Sequence, residues 1–174
     1  MRNSTVKYIV EVSQSRKDSN EWLRENCKDI KGKVLSVGSM EDRDGTGNSY
    51  KSYFPLADSY TTSDIAGDVD LYLDVRDMKI VKDGEYDCVF VSGVLEHVDD
   101  FMAGVREIKR VLKKGGTLIL GVPFRQSLHS QDDYWRFTVY ALEYMFKDMD
   151  IKEIKEIDKT DFAFPAAYWL KAIK

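Results

Sequence analysis

Three residues whose types could serve ligand binding each stand at the end of a predicted strand. A glycine such as Gly38 lets the backbone turn tightly and approach a ligand, although a plain turn uses one too. The carboxylate of Asp64 could accept hydrogen bonds from both ribose hydroxyls of an adenosine-bearing cofactor, or serve as a cap or turn residue. Asp74 could meet the edge of an adenine ring, with Asp77 as a competitor for that role.

The chain contains two histidines, His97 and His129. A neutral imidazole can take up a proton near physiological pH, so a histidine can act as a general base. His129 lies in a polar segment and is the better candidate for a catalytic residue. His97 follows an apolar run, where it could contact a substrate or, together with Glu96, pack and cap the start of a helix.

A polar and aromatic segment follows His129 and contains Tyr134, Trp135 and Arg136. Aromatic rings and a guanidinium suit a planar or sugar-like substrate that carries negative charge. The alternative is structural. In that interpretation Trp135 and Phe137 pack the start of the next helix, and Arg136 pairs with a local acid.

Apolar runs and amphipathic stretches alternate along the chain, and this predicts the elements that position these residues. Strands are predicted over residues 34–37, 59–63, 70–74, 86–92 and 117–122, and helices over 20–29, 101–112 and 138–146. The tail predicts two final strands that form an antiparallel hairpin, although its isoleucine spacing also fits a helix. The alternation predicts an α/β fold with a parallel sheet between helices, which binds ligands at the carboxyl ends of its strands.

Two segments agree with a known family in order, spacing and residue type. YDCVFVSGVLEHVDD begins at Tyr86, and IKRVLKKGGTLILGVP begins at Ile108. With VLSVGS before them, they resemble the class I S-adenosylmethionine-dependent methyltransferases, particularly the small members related to the methyltransferase-11 group, over about residues 33–146. The resemblance implies a Rossmann-like, doubly wound, mostly parallel seven-stranded sheet with an antiparallel last strand. It also implies S-adenosylmethionine as the cofactor.

The resemblance assigns roles to the candidate residues. It implies cofactor contacts from the tips of the first four strands, namely Gly38, Ser39, Asp64, Ile65, Asp74, Val75, Ser92, Gly93 and Val94. It places His97, Tyr134, Trp135 and Arg136 beside the substrate, and it puts Glu96 and His97 near the amino-acid end of the cofactor. The expected acceptor is a small molecule or a carrier-linked sugar methylated on oxygen or nitrogen. An alcohol must lose its proton during such a transfer, whereas a carboxylate has none to lose.

The first motif departs from the family pattern. Ser36 stands where the family usually has an acidic residue, and Gly38 is followed by Ser-Met-Glu-Asp in place of the usual further glycines. Residues 45–48 could form a longer, flexible loop that replaces them. The departure keeps open a non-catalytic binding protein that has retained the fold.

Composition and missing motifs exclude or disfavour several other classes. The 174 residues suit one domain, with an N-terminal helical segment over 1–32 and a core over 33–174. The net charge of −4 makes a nucleic-acid partner unlikely, and the two cysteines indicate neither a zinc site nor a disulfide framework. No signal peptide or membrane span is evident, so we expect a cytoplasmic protein. The fingerprint G-x-G-x-x-G of nicotinamide-dependent oxidoreductases is missing after Val37.

Overall fold

The computed structural model describes residues 12–159 and 164–174, which form a layered α/β structure around a seven-stranded sheet. The strands are β1 (Gly32–Val37), β2 (Ala57–Asp64), β3 (Leu71–Tyr72), β4 (Tyr86–Ser92), β5 (Leu112–Pro123), β6 (Asp150–Ile157) and β7 (Ala167–Ile173). Their order in the sheet is β3-β2-β1-β4-β5-β7-β6. Strand β7 runs antiparallel to both of its neighbours, and the other pairings are parallel. The predicted sheet, including its antiparallel last strand and final hairpin, is confirmed.

Three helices cover the two faces of the sheet: α1 (Gln14–Cys27), α2 (Phe101–Val111) and α3 (Val139–Met145). Helix α1 packs on one face, and α2 and α3 pack on the other. Side chains of Asp100 and Thr138 accept hydrogen bonds from backbone N–H groups in the first turns of α2 and α3. The predicted start of the first helix at residue 20 was wrong. Ser13 caps α1 more than a turn before residue 20. The first turns of α1 are polar and have no apolar face, so the apolar pattern did not mark them as helical.

The side chains of the central strands point alternately into two hydrophobic cores, and this packing on both faces holds the sheet rigid. Leu35, Val89 and Leu118 point toward α2 and α3, whereas Phe90 and Ile119 point toward α1. All five side chains are buried, and each contributes roughly 1.5–3 kcal/mol to the free energy of unfolding. The carboxyl ends of β1, β4 and β5 are therefore fixed relative to one another at one edge of the sheet.

The loop after β1 is arranged around one buried carboxylate, and the flexibility predicted for residues 45–48 stays a prediction. Asp44 is fully buried and accepts hydrogen bonds from the backbone N–H and hydroxyl of Thr46 at 2.7 and 2.8 Å. The Tyr53 hydroxyl donates at 2.7 Å, the Asn48 N–H at 3.1 Å and the Asn20 amide at 3.3 Å. Burial alone would raise the pKa of Asp44, but the hydrogen bonds outweigh burial and hold that pKa well below its usual range.

Both cysteines lie in the core beneath α1 and are free thiols. Burial raises the pKa of the Cys27 thiol to about 12 and raises that of Cys88 as well. A thiol that stays protonated is a poor nucleophile and a poor metal ligand, so these residues are part of the packing. Among the described residues, no helix is long and apolar enough to cross a membrane. The cytoplasmic location stays a prediction.

Candidate functional site

A cleft of about 570 Å³ opens at the carboxyl ends of β1, β4 and β5. The loop after β1 and the first turns of α1 form one wall. The turn after β4, the segment after β5 and the start of β7 form the other. Five residues assigned to the site from the sequence lie in its lining, namely Gly38, Ser39, Ser92, Gly93 and His129. The cleft is therefore where parallel sheets of this type bind ligands.

Gly38 forms the tip of β1 and has a conformation that favours glycine. Its φ is +75°, and a Cβ built on it would lie 2.2 Å from Cγ2 of Val94. The backbone N–H groups of Gly38 and Ser39 both donate to the carbonyl of Ser63 on β2, at 2.8 and 3.0 Å. The turn is thus tied to the neighbouring strand, and a side chain at Gly38 would strain the backbone and collide with Val94.

Neutral hydroxyl groups occupy the position where the family motif has an acid. The Ser39 hydroxyl bonds with the Ser36 hydroxyl at 2.6 Å and lies 2.9 Å from the Ser36 carbonyl. The Ser63 hydroxyl donates to that same carbonyl at 2.9 Å. This cluster braces the ends of β1 and β2, but it brings no negative charge to the cleft.

A buried carboxylate without a full set of partners lies in the lining, next to the turn after β4. Glu96 is 2% exposed, and its Oε2 has no hydrogen-bond partner among the described residues. Burial raises the pKa of Glu96 to about 7. Its backbone carbonyl accepts the N–H groups of Tyr134 and Trp135 at 2.8 and 3.2 Å, so the segment after β5 is fastened to this turn.

The two histidines face each other at the rim of the cleft. His129 Nε2 lies 3.2 Å from His97 Nε2, and His129 Nδ1 lies 3.2 Å from Oδ2 of Asp133. His97 Nδ1 is 3.3 Å from both the Asp132 carbonyl and the Ser130 hydroxyl. The Asp133 carboxylate therefore lies beside Nδ1 of His129, and its negative charge faces that side of the ring.

The predicted substrate residues Trp135 and Arg136 have structural contacts. The Trp135 indole donates to the Val98 carbonyl at 2.9 Å, and its ring packs edge-to-face on Phe101. Arg136 holds Asp133 with two of its nitrogens, and this pairing is the main reason that the pKa of Asp133 is lowered. Within the described part of the chain, neither residue lines the cleft, and neither do Tyr134 and His97. The contacts of Trp135 and Arg136 agree with the structural alternative, in which Trp135 packs near a helix start and Arg136 pairs with a local acid. Their contact with a substrate stays a prediction.

The predicted contacts for adenosine lie beyond the cleft, at the tips of β2 and β3. Asp64 accepts the N–H groups of Met40 and Ala66 at 3.1 and 3.2 Å, one on each oxygen. Both oxygens of Asp74 accept from Arg76, which also pairs with a second acid, so Asp74 is poorly placed to bind an adenine.

The remaining three predicted cofactor residues differ in exposure. Val75 is buried in the core below α2, so its side chain is not available to a ligand. Val94 packs against the same core and lies over Gly38. Ile65 is 74% exposed at the end of β2.

Comparison with known proteins identifies the architecture. A family model described as a methyltransferase domain matches residues 55–120. A chain of the complex between the Haloferax volcanii Trm112 methyltransferase activator and a putative methyltransferase superposes with a TM-score of 0.68, at 15% identity, over 91% of this chain and 89% of that one. The chain has the class I methyltransferase fold.

Two further similarities describe this methyltransferase fold. A Burkholderia thailandensis 1,6-didemethyltoxoflavin-N1-methyltransferase, solved with bound 1,6-didemethyltoxoflavin and S-adenosylhomocysteine, superposes with a TM-score of 0.67 at 15% identity, over 93% of this chain and 78% of that one. An uncharacterized protein of Methanocaldococcus jannaschii is 34% identical over 74 residues, which cover 42% of this chain and 32% of that protein. The chain thus matches about a third of this curated relative. The comparisons support the prediction of S-adenosylmethionine as the cofactor.

Several residues that line the cleft were not predicted from the sequence. Ser13, Ser15, Arg16 and Ser19 come from the start of α1, because that helix begins earlier than predicted. Arg125 lines the cleft after β5. The Ser-Gln-Ser-Arg pattern at the start of α1 carried a signal, since a serine followed by polar residues is a typical helix start.

Proposed function

We propose that the protein is an S-adenosylmethionine-dependent methyltransferase that binds its cofactor across the tips of β1, β2 and β4. The observation that carries the proposal is the glycine tip at Gly38, open to the cleft and flanked by the carboxylate of Asp64 on the next strand. When bound, the cofactor supplies a methyl group on a sulfonium, which is activated for displacement by a nucleophile. The protein then has to bind and orient the two reactants.

The donor and acceptor groups at this edge of the sheet fit the cofactor. Gly38 and Ser39 would lie against its methionine part, and Ser92 and Gly93 would line the opposite wall. Asp64 would hold the ribose hydroxyls. Each oxygen of that carboxylate accepts one backbone N–H group, and an ionised carboxylate has about four acceptor positions, so capacity remains. Asp74 is left out because Arg76 occupies both of its oxygens.

His129 is proposed as the general base that removes a proton from the acceptor. It lines the cleft, its side chain is 47% exposed, and the Asp133 carboxylate lies 3.2 Å from its Nδ1. Asp133 has no exposed side-chain surface and is held by Arg136, so the carboxylate stays beside the ring. A base of this kind suits an acceptor that must lose a proton, such as a hydroxyl or an amine.

The acceptor is proposed to be a small molecule or a sugar linked to a larger carrier. The described part of the chain adds no extra domain or lid over the cleft, and a wide opening suits a bulky acceptor. Oxygen and nitrogen acceptors both fit a histidine base. Methylation assays with both acceptor types, measured as release of S-adenosylhomocysteine, would separate them.

Calorimetric titration with S-adenosylmethionine tests the proposal. We expect saturable binding by the wild-type protein and about a tenfold loss of affinity in Asp64→Asn, since a charge-assisted hydrogen bond becomes a neutral one. Asp68→Asn is a matched control, because Asp68 is an exposed aspartate in the turn that follows β2. Absence of binding by the wild-type protein would support the rival function, a non-catalytic protein that has kept the fold. Equal affinity of Asp64→Asn and the wild type would remove Asp64 from the site.

A further inference from the structure

The cleft has to bind a cofactor with two positive centres, an α-ammonium and a sulfonium. The usual acid of the first motif is missing, since Ser36 stands there and bonds to Ser39. The acids of the loop after β1 do not replace it. Both oxygens of Asp42 accept hydrogen bonds from within the loop and β2, and Glu41 is exposed beside Arg43.

Glu96 is the acid in the cleft that is both buried and short of a partner. Its side chain is 3% exposed, and its Oε1 lies 3.4 Å from the position that a Cβ of Gly93 would take. Its Oε2 has no hydrogen-bond partner within the described residues. A buried carboxylate in this state destabilises the ligand-free protein and interacts strongly with any cation that reaches it.

We propose that Glu96 binds the positively charged methionine end of the cofactor and takes over the role of the acid missing at Ser36. The inference rests on the proposed function, since it assigns a contact within the same cofactor site. The contact would come from the turn after β4 and not from the end of β1. It explains how the altered first motif can be compatible with cofactor binding.

Binding of a cation to Glu96 changes the protonation of its carboxyl. In the ligand-free protein its pKa of about 7 keeps the carboxyl largely protonated in slightly acidic buffer. The charged groups that act on it are Asp133 and Arg136, and the ring of His97 lies 3.9 Å from its Oε1. When the cation arrives, the carboxyl ionises and its proton passes to the solvent, so that one positive charge replaces another.

Calorimetry in two buffers with different heats of ionisation tests the inference at about pH 6.5. For the wild-type protein we expect release of up to about one proton per S-adenosylmethionine bound. For Glu96→Gln we expect no such release and about a 10- to 100-fold weaker affinity. Glu143→Gln, an exposed change on α3, is the matched control and should behave like the wild type.

Titration with S-adenosylhomocysteine separates the two positive centres, because that molecule keeps the ammonium and lacks the sulfonium. If Glu96→Gln lowers the affinity for both ligands equally, Glu96 contacts the ammonium. If it lowers the affinity for S-adenosylmethionine alone, Glu96 contacts the sulfonium. Wild-type affinity and proton release in a folded Glu96→Gln protein would overturn the inference and leave the proposed function standing. A wild-type protein that binds neither ligand would instead refute the proposed function.

Discussion

The burial of Glu96 predicts a specific dependence of stability on pH. Its pKa is raised from 4.5 to about 7 by burial, so the folded protein retains a proton that the unfolded chain releases. The contribution of Glu96 to the free energy of unfolding therefore falls as the pH rises from about 4.5 to about 7. Above that window the full cost of an ionised, buried carboxylate remains.

The magnitude follows from the difference between the two pKa values, which corresponds to about 3 kcal/mol at high pH. Glutamine has nearly the same shape and cannot ionise. Glu96→Gln should therefore match the wild type in stability at about pH 4.5 and exceed it by about 3 kcal/mol at about pH 8. For a chain of 174 residues this corresponds to a rise in Tm of about 6 to 12 °C.

Urea denaturation of both proteins at a series of pH values, followed by circular dichroism, measures this difference. Taking the difference cancels the titration of every other group, including the two histidines. Parallel stability curves for the two proteins between about pH 5 and 8 would refute the reasoning, because they would show that Glu96 titrates alike in the folded and unfolded chains.

Three further substitutions test the site and its supports. Asp44→Asn should lower the free energy of unfolding by about 3 kcal/mol at neutral pH, measured by urea denaturation, because several donors lose a charged acceptor. Gly38→Ala should cost about 2 kcal/mol or more and abolish cofactor binding in calorimetry, since its Cβ would collide with Val94. Asp133→Asn should lower kcat at least tenfold with little change in cofactor affinity, because the side chain beside Nδ1 of the proposed base His129 loses its negative charge; an unchanged pH–rate profile would contradict this role.

Strands and core were readable from the sequence because burial on a sheet imposes a period of two residues. Strand β4 was predicted with the bounds observed, and its alternating side chains Val89 and Phe90 enter the two cores as the pattern requires. The glycine at Gly38 was likewise evident, since its position after an apolar run fixes where the chain must turn. These features depend on local residue order.

Contacts between distant segments could not be predicted in the same way. The carboxylate of Asp44 organises a loop by accepting hydrogen bonds from Asn20 and Tyr53, and no local sequence pattern predicts these partners. The carboxylate of Asp74 pairs with the guanidinium of Arg76 two residues away, and its predicted contact with an adenine stays a prediction.

The amino-acid sequence by itself determined the order of strands and helices, the glycine tip of β1 and the family to which the pattern points. Only the tertiary structure decided that Oε2 of Glu96 is buried with no hydrogen-bond partner among the described residues, and that Asp133 lies beside His129. The physical reason is that burial and electrostatic pairing depend on which segments meet in space. The identity of a charged residue in the sequence does not show whether the folded chain leaves it in water or buries it.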